Sequence, residues 1–159
     1  TDAEEQGLYG AKAWLTQSSV PLSKILLNIN LDMISRGERR QRLYLAGKRY
    51  LPALQALPVK QDAKVKLVLG HDGRGRVGAA QRSEQVDWSN ASDHGPFRRA
   101  GIPFMYFGVD VHPHYHTPED DWQRIDPAFF QSALRLIQSS VHWVEQQPPE
   151  VFKQARRSD

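Results

Sequence analysis

Two adjacent carboxylates, Glu4 and Glu5, stand almost at the start of this 159-residue chain, in the run DAEEQGLYGAKAW (Asp2 to Trp14). Adjacent side chains can be aimed differently, so one can hold a metal while the other faces a water that the metal activates. Such a water and a carboxylate base together hydrolyse amides. A second reading stays open beside it: two acidic residues opening a helix, whose N-terminus favours negative charge. Asp32 closes the apolar run of NINLDM (Asn28 to Met33), beside Asn28 and Asn30. A carboxylate there is costly unless hydrogen-bonded or metal-bound, and it serves equally well as a loop cap. His112, His114 and His116 alternate, so an extended backbone would aim all three to one side. In YHTPED (Tyr115 to Asp120), Tyr115 precedes His116 and can donate to a developing oxyanion, or it is simply a half-buried tyrosine. In SDHGPF (Ser92 to Phe97), Asp93 and His94 suit groups that orient a ligand from behind, or helix caps. Trp88 and Trp122 suit a pocket wall, with core packing the stronger expectation for both.

The elements that must position these residues follow from periodicity. Residues 7–16 carry Leu8, Ala11 and Leu15 at helical spacing. Residues 24–33 alternate, with Ile25, Leu27, Ile29, Leu31 and Met33 on one face and Leu26, Asn28, Asn30 and Asp32 on the other. Asp32 then falls near the carboxyl end of a strand, where open α/β sheets place their chemistry. Further strands are expected at 43–46, 64–69 and 102–109, the last apolar throughout and so buried. Short helices are expected at 51–57 and 96–100, the second stopped by Gly101. Residues 36–42 read as a polar loop, and 70–78 (GHDGRGRVG) as a mobile glycine-rich linker without phosphate-loop spacing. Asp126 as N-cap and Pro127 at the first helical position start a helix that Pro148 ends. Phe130, Ala133, Leu134, Ile137, Val141 and Val144 form its expected apolar face. Strands separated by helices imply an α/β sandwich.

Length predicts one domain over residues 1–159, with 150–159 as a flexible tail. Hydrophobic content of 40% and charged content of 25% are ordinary for a globular chain that buries a core. The net charge of +3 is spread from Lys12 to Arg157, with clusters at Arg36/Arg39/Arg40/Arg42 and Arg74/Arg76. No aromatic residues interleave with a dense basic stripe, which favours solvated surface over nucleic-acid binding. The lack of cysteine excludes disulfides, thiol catalysis and cysteine-type zinc sites. No apolar run reaches membrane-spanning length, and no signal-peptide pattern is visible.

Taken in order, the four runs DAEEQGLYGAKAW, NINLDM, SDHGPF and YHTPED resemble the M28-type zinc aminopeptidases. That family also holds glutaminyl cyclases and transferrin-receptor-like ectodomains. The resemblance spans Asp2 to about Ile137. It implies a three-layer α/β sandwich of the zinc-exopeptidase type, with a mixed β-sheet flanked by helices. It also implies roles. Glu4 matches the general base, and Glu5 and His116 match ligands of one zinc. Asp32 matches a ligand of the other, Tyr115 a stabiliser of the tetrahedral intermediate, and Asp93 a structural or orienting acid. Two zinc ions and a peptide substrate are expected in the complete enzyme, which would remove N-terminal residues through zinc-activated water. The family's first His ligand, usually in an HxD segment, and its bridging Asp fall before Thr1. The chain is therefore expected to be the C-terminal portion of a catalytic domain, incomplete at its N-terminus. On that reading it is inactive alone and self-associates through exposed sheet surface. A glutaminyl cyclase-like acyltransferase and a non-enzymatic ectodomain or interaction module are the rivals. The stretch EEQGLYGAKAW favours an aminopeptidase over a cyclase, and the four implied site residues Glu4, Glu5, Asp32 and His116 speak against a dead site. The family suggests a periplasmic or secreted location.

Overall fold

The computed structural model describes residues 1–58, 62, 64–72, 74–76 and 85–155. Along the chain the elements are α1 (Tyr9–Gln17), β1 (Asn28–Leu31), β2 (Arg42–Ala46), β3 (Lys66–Leu69), β4 (Arg74–Arg76), β5 (Gln85–Asp87), α2 (His94–Arg99), β6 (Phe104–Gly108), α3 (Pro127–Glu145) and α4 (Pro149–Ala155). Four strands form one sheet in the order β1-β6-β2-β3. β1 runs parallel to β6 and β3 parallel to β2, while β2 and β6 are antiparallel, so the sheet is mixed. β4 and β5 make a separate antiparallel pair, so a strand at 74–76 stands within the expected linker.

The apolar run at 102–109 becomes β6, whose five residues are all buried between two neighbours. Alternation divides its side chains between two layers. Met105 and Phe107 join Leu43, Leu45 and Leu67 under α3, which contributes Phe129, Ala133, Leu136 and Ile137. Phe104 and Tyr106 point to the opposite face with Ala46 and Trp88. On that face α2 stacks its first residue, His94, on Phe104 and Tyr106, and α1 packs Ala11 against Phe97 and Ile102. Helices on both faces of a mixed sheet give the three-layer α/β arrangement.

Several elements depart from the sequence pattern. The strand expected over 24–33 shrinks to four residues, because Leu22–Lys24 form a 3₁₀ turn after Pro21. β1 lies at the sheet edge, so Ile29 and Leu31 stay exposed despite their apolar pattern. The buried stripe of α3 is rotated from the expected one. It runs through Phe129, Ser132, Ala133, Leu136, Ile137 and Ser140, and Leu134 faces out. Ser140 can be buried because its hydroxyl donates to the Leu136 carbonyl at 2.8 Å, and Ser132 accepts from Arg135 at 2.9 Å. Small polar residues satisfied within their own helix escaped a count of apolar side chains. The start of α3 is as expected: Asp126 accepts from the backbone N–H groups of Ala128 and Phe129, both at 3.0 Å. In place of the expected tail at 150–159, residues 149–155 form α4, and Phe152 is buried in the α3 layer. Residues 156–159 lie outside the described residues.

Candidate active site

Because β1 and β6 are parallel, their carboxyl ends leave the sheet at the same edge. β1 delivers Asp32, whose backbone N–H donates to the Phe107 carbonyl at 3.1 Å. β6 runs on to the segment from His112 to Asp120. Glu4 and Glu5 reach the same place from the loop before α1. That loop is held by Gly7 and Leu8, whose N–H groups donate to the Glu4 carbonyl at 3.0 and 2.9 Å. α1 has no acidic residue in its first turn, so the pair is not a helix-opening pair. Glu4, Glu5, Asp32, Tyr115 and His116 together line one cleft of about 390 Å³.

Glu5 and His116 are neighbours, with Oε2 and Nε2 3.2 Å apart. Two ligands of a tetrahedral zinc at about 2.0–2.2 Å from the ion stand roughly 3.3 Å from each other. The pair is therefore spaced as two ligands of one ion. Among the described residues no group of three or more His, Cys, Asp or Glu side chains comes together as a metal site. What the cleft does hold is the close pair Glu5 and His116, with Asp32 lining the same cleft. These donors are only carboxylate oxygen and imidazole nitrogen, which fits zinc.

Glu4 sits between these groups electrically. Burial, and then the negative charges of Asp32, Glu5 and Asp93, hold its carboxyl above the usual carboxylate range. Ser92 opposes this by a side-chain hydrogen bond to Glu4. Ser92 Oγ in turn accepts from Asn30 Nδ2 at 3.0 Å. Asn30, on the Tyr106 side of β1, thereby fixes the hydroxyl that steadies Glu4.

Behind the cleft lies a column of rings. Tyr44 stacks on His71 at 3.8 Å, His71 on Trp88 at 5.3 Å, and Trp88 on Tyr106 at 6.3 Å. Tyr106 then meets His94 at 4.5 Å. Burial, with Asp32 nearby, drives the Tyr106 hydroxyl far above its usual range, so it stays protonated and can only donate or accept as a neutral group. Its position requires Gly108: a Cβ there would lie 2.5 Å from the Tyr106 hydroxyl and 2.9 Å from the Asp32 carbonyl oxygen. His94 is fully buried, 2.8 Å through Nε2 from the Trp88 carbonyl. Burial pushes its imidazole down to about 4, so it is neutral at pH 7 and donates Nε2–H. Asp93 accepts from the Thr1 hydroxyl at 2.7 Å. Neither Asp93 nor His94 lines the cleft, and no side chain caps α2 at Asp93.

The histidine triplet is not extended. Turns at Tyr115 N–His112 O and Thr117 N–His114 O, and a φ of 57° at His116, split it. His112 is buried against Asp120 at 3.4 Å, while His116 turns to Glu5. Trp122 is 77% exposed rather than packed, whereas Trp88 is both core and cleft wall. Tyr106 and Ser92 were not singled out by sequence reasoning for this site. The signals were present: Tyr106 is the only polar-tipped side chain of an otherwise apolar strand, and Ser92 directly precedes Asp93.

Residues 1–141 match Peptidase family M28. Aminopeptidase YwaD of Bacillus subtilis (strain 168) is 29% identical over 170 residues, which cover 99% of this chain and 34% of that protein. A solved zinc aminopeptidase from Bacillus subtilis matches with a TM-score of 0.60 at 25% identity, over 92% of this chain and 36% of its own. An aminopeptidase from Aneurinibacillus sp. strain AM-1 shares the fold with a TM-score of 0.60 at 24% identity, over 88% of this chain and 31% of its own. The chain spans about a third of the length of the relatives it matches. With a match that takes in Glu4, Glu5, Asp32 and His116 together with most of the sheet and helices around them, the chain belongs to Peptidase family M28.

Proposed function

We propose that the protein carrying this chain is a zinc-dependent aminopeptidase that hydrolyses the first peptide bond of its substrate. The observation that carries this reading is the meeting of Glu4, Glu5, Asp32, Tyr115 and His116 in one cleft, with Glu5 and His116 3.2 Å apart. Glu5 and His116 would hold one ion and Asp32 a second. The remaining ligands, a His and a bridging Asp in the resemblance, would come from elsewhere in the protein. Zinc, when bound, supplies a Lewis acid that acidifies water and polarises a carbonyl.

The chain's own residues do the rest. Glu4, whose carboxyl is held above its usual range by burial and three acidic neighbours, is suited to accept the proton of the attacking water and deliver it to the leaving amine. Ser92 and Asn30 keep its carboxylate aimed. Tyr115, which lines the cleft and stacks on His116 at 3.7 Å, donates a hydrogen bond from its hydroxyl to the carbonyl oxygen as charge develops there. Tyr106 and Trp88 close the inner wall. The test is turnover of aminoacyl-anilides by the full protein with zinc. A protein that binds zinc but hydrolyses neither anilides nor unblocked peptides would overturn the reading.

A further inference from the structure

A second cleft is larger than the one just described. About 580 Å³ in volume, it is lined by Arg39, Arg40 and Arg42 together with Val109, Val111 and Pro113. That volume is within the roughly 300–1,000 Å³ range of small-ligand sites. The two clefts share a wall: His112 lines this one, Asp120 lines the candidate site, and the two side chains meet at 3.4 Å. Pro113 here and Tyr115 there are two residues apart, so their Cα atoms lie within about 7.6 Å.

The charges in this cleft do not cancel. Glu38 is taken up by Arg36. Asp110 is taken up by His71 at 3.0 Å and the Tyr44 hydroxyl at 2.8 Å, with Arg40 4.0 Å away. Arg39 and Arg42 make no side-chain hydrogen bond or ion pair among the described residues. Two unpaired guanidiniums over an apolar floor suit a carboxylate on an aliphatic stem, since guanidinium binds carboxylate in a two-pronged way.

We propose that this cleft seats acidic side chains of the peptide downstream of the cleaved bond, giving the enzyme a preference for acidic peptides. The proposal rests on the peptidase reading, because only then does the substrate chain continue past the site. An aminopeptidase removes one residue, so the rest of the peptide must leave the first cleft, and the His112–Asp120 wall leads into the second.

The test uses the full zinc-loaded protein and two fluorescent hexapeptides with an N-methylated, uncleavable first bond. One carries Asp and Glu at its second to fourth positions, the other Asn and Gln. By anisotropy the acidic peptide binds about fivefold tighter, the contribution of two partly screened ion pairs. The preference shrinks as salt rises from about 0.05 to about 0.5 M in the unaltered protein. It also disappears in the Arg39→Gln/Arg42→Gln double variant, whose melting temperature verifies its fold. Equal affinities, a salt-independent preference, or a preference retained in the folded double variant would overturn the proposal. So would an oligonucleotide of equal charge that competes as well as the peptide. Anilides carry no residue beyond the cleaved bond, so their turnover stays unchanged in the double variant. Absent turnover of both anilides and unblocked peptides would overturn the peptidase reading itself, whereas turnover with equal affinities for the two hexapeptides would overturn only the cleft's assignment.

Discussion

Glu4 and Glu5 are chemically identical neighbours that the loop before α1 sends to different company. Glu5 meets His116, whereas Glu4 meets the Ser92 hydroxyl and the fields of Asp32 and Asp93. Their substitutions should therefore separate. In the zinc-loaded protein Glu4→Gln lowers kcat by about 10²–10⁴-fold while zinc content holds, and Glu5→Ala and His116→Ala lose zinc as well. Metal analysis beside the rate decides it, and equal zinc loss in Glu4→Gln would reassign the pair. His94 makes a pH prediction. An unfolded His protonates near 6.5, but this one resists to about 4 in the folded chain. Between those values the unfolded chain binds more protons. The contribution is whole above about pH 6.5 and is lost as pH falls toward 4, by up to about 3 kcal/mol. Denaturant melts of the parent and of His94→Gln from about pH 7 to about pH 4 test this. Equal slopes in the two proteins would show that His94 does not carry the effect.

At the scale of elements, the site depends on two strands ending together and on one glycine that lets them. Gly108→Ala must displace the Tyr106 hydroxyl or the Asp32 backbone. It should cost about 1–3 kcal/mol and most of the turnover; unchanged melting and rate would contradict the packing described. β6 and α3 were legible because each carries a strong local signal: an unbroken apolar run, and Asp126 followed by Pro127. The carboxylates were legible for the same reason, as charges beside apolar patterns. What escaped was decided by local turns and by tertiary contacts. The triplet His112/His114/His116 has strand spacing, yet local turns break it. Trp122 has a core residue's chemistry on a 3₁₀ turn that faces solvent. α4 reads in sequence as a flexible tail, and only the site where Phe152 docks makes it a helix worth forming. Tyr106 reads as one more strand hydrophobe until the register places it beside Asn30 and over the cleft.

For the whole molecule, the sheet ends abruptly at β1. Among the described residues β1 pairs only with β6, and Leu31 is 47% exposed beside Ile29, with Trp14 and Leu22 exposed as well. Unpaired edges and apolar patches recruit other chains, so this chain should associate with itself in a concentration-dependent way. Leu31→Lys should suppress that association. Light scattering over a dilution series measures both, and a monomer at every concentration would show that the edge is harmless. The column of rings behind the cleft has a different consequence. Of the four tryptophans only Trp88 is buried, and it lies between His71 and Tyr106 as part of the wall of the candidate cleft, a hollow that Glu4 and His116 also line. Its emission is therefore the blue-shifted part of the protein's fluorescence, and anything that enters the hollow must change the surroundings of that one indole. The fold carries its own optical gauge of occupancy, readable without a label.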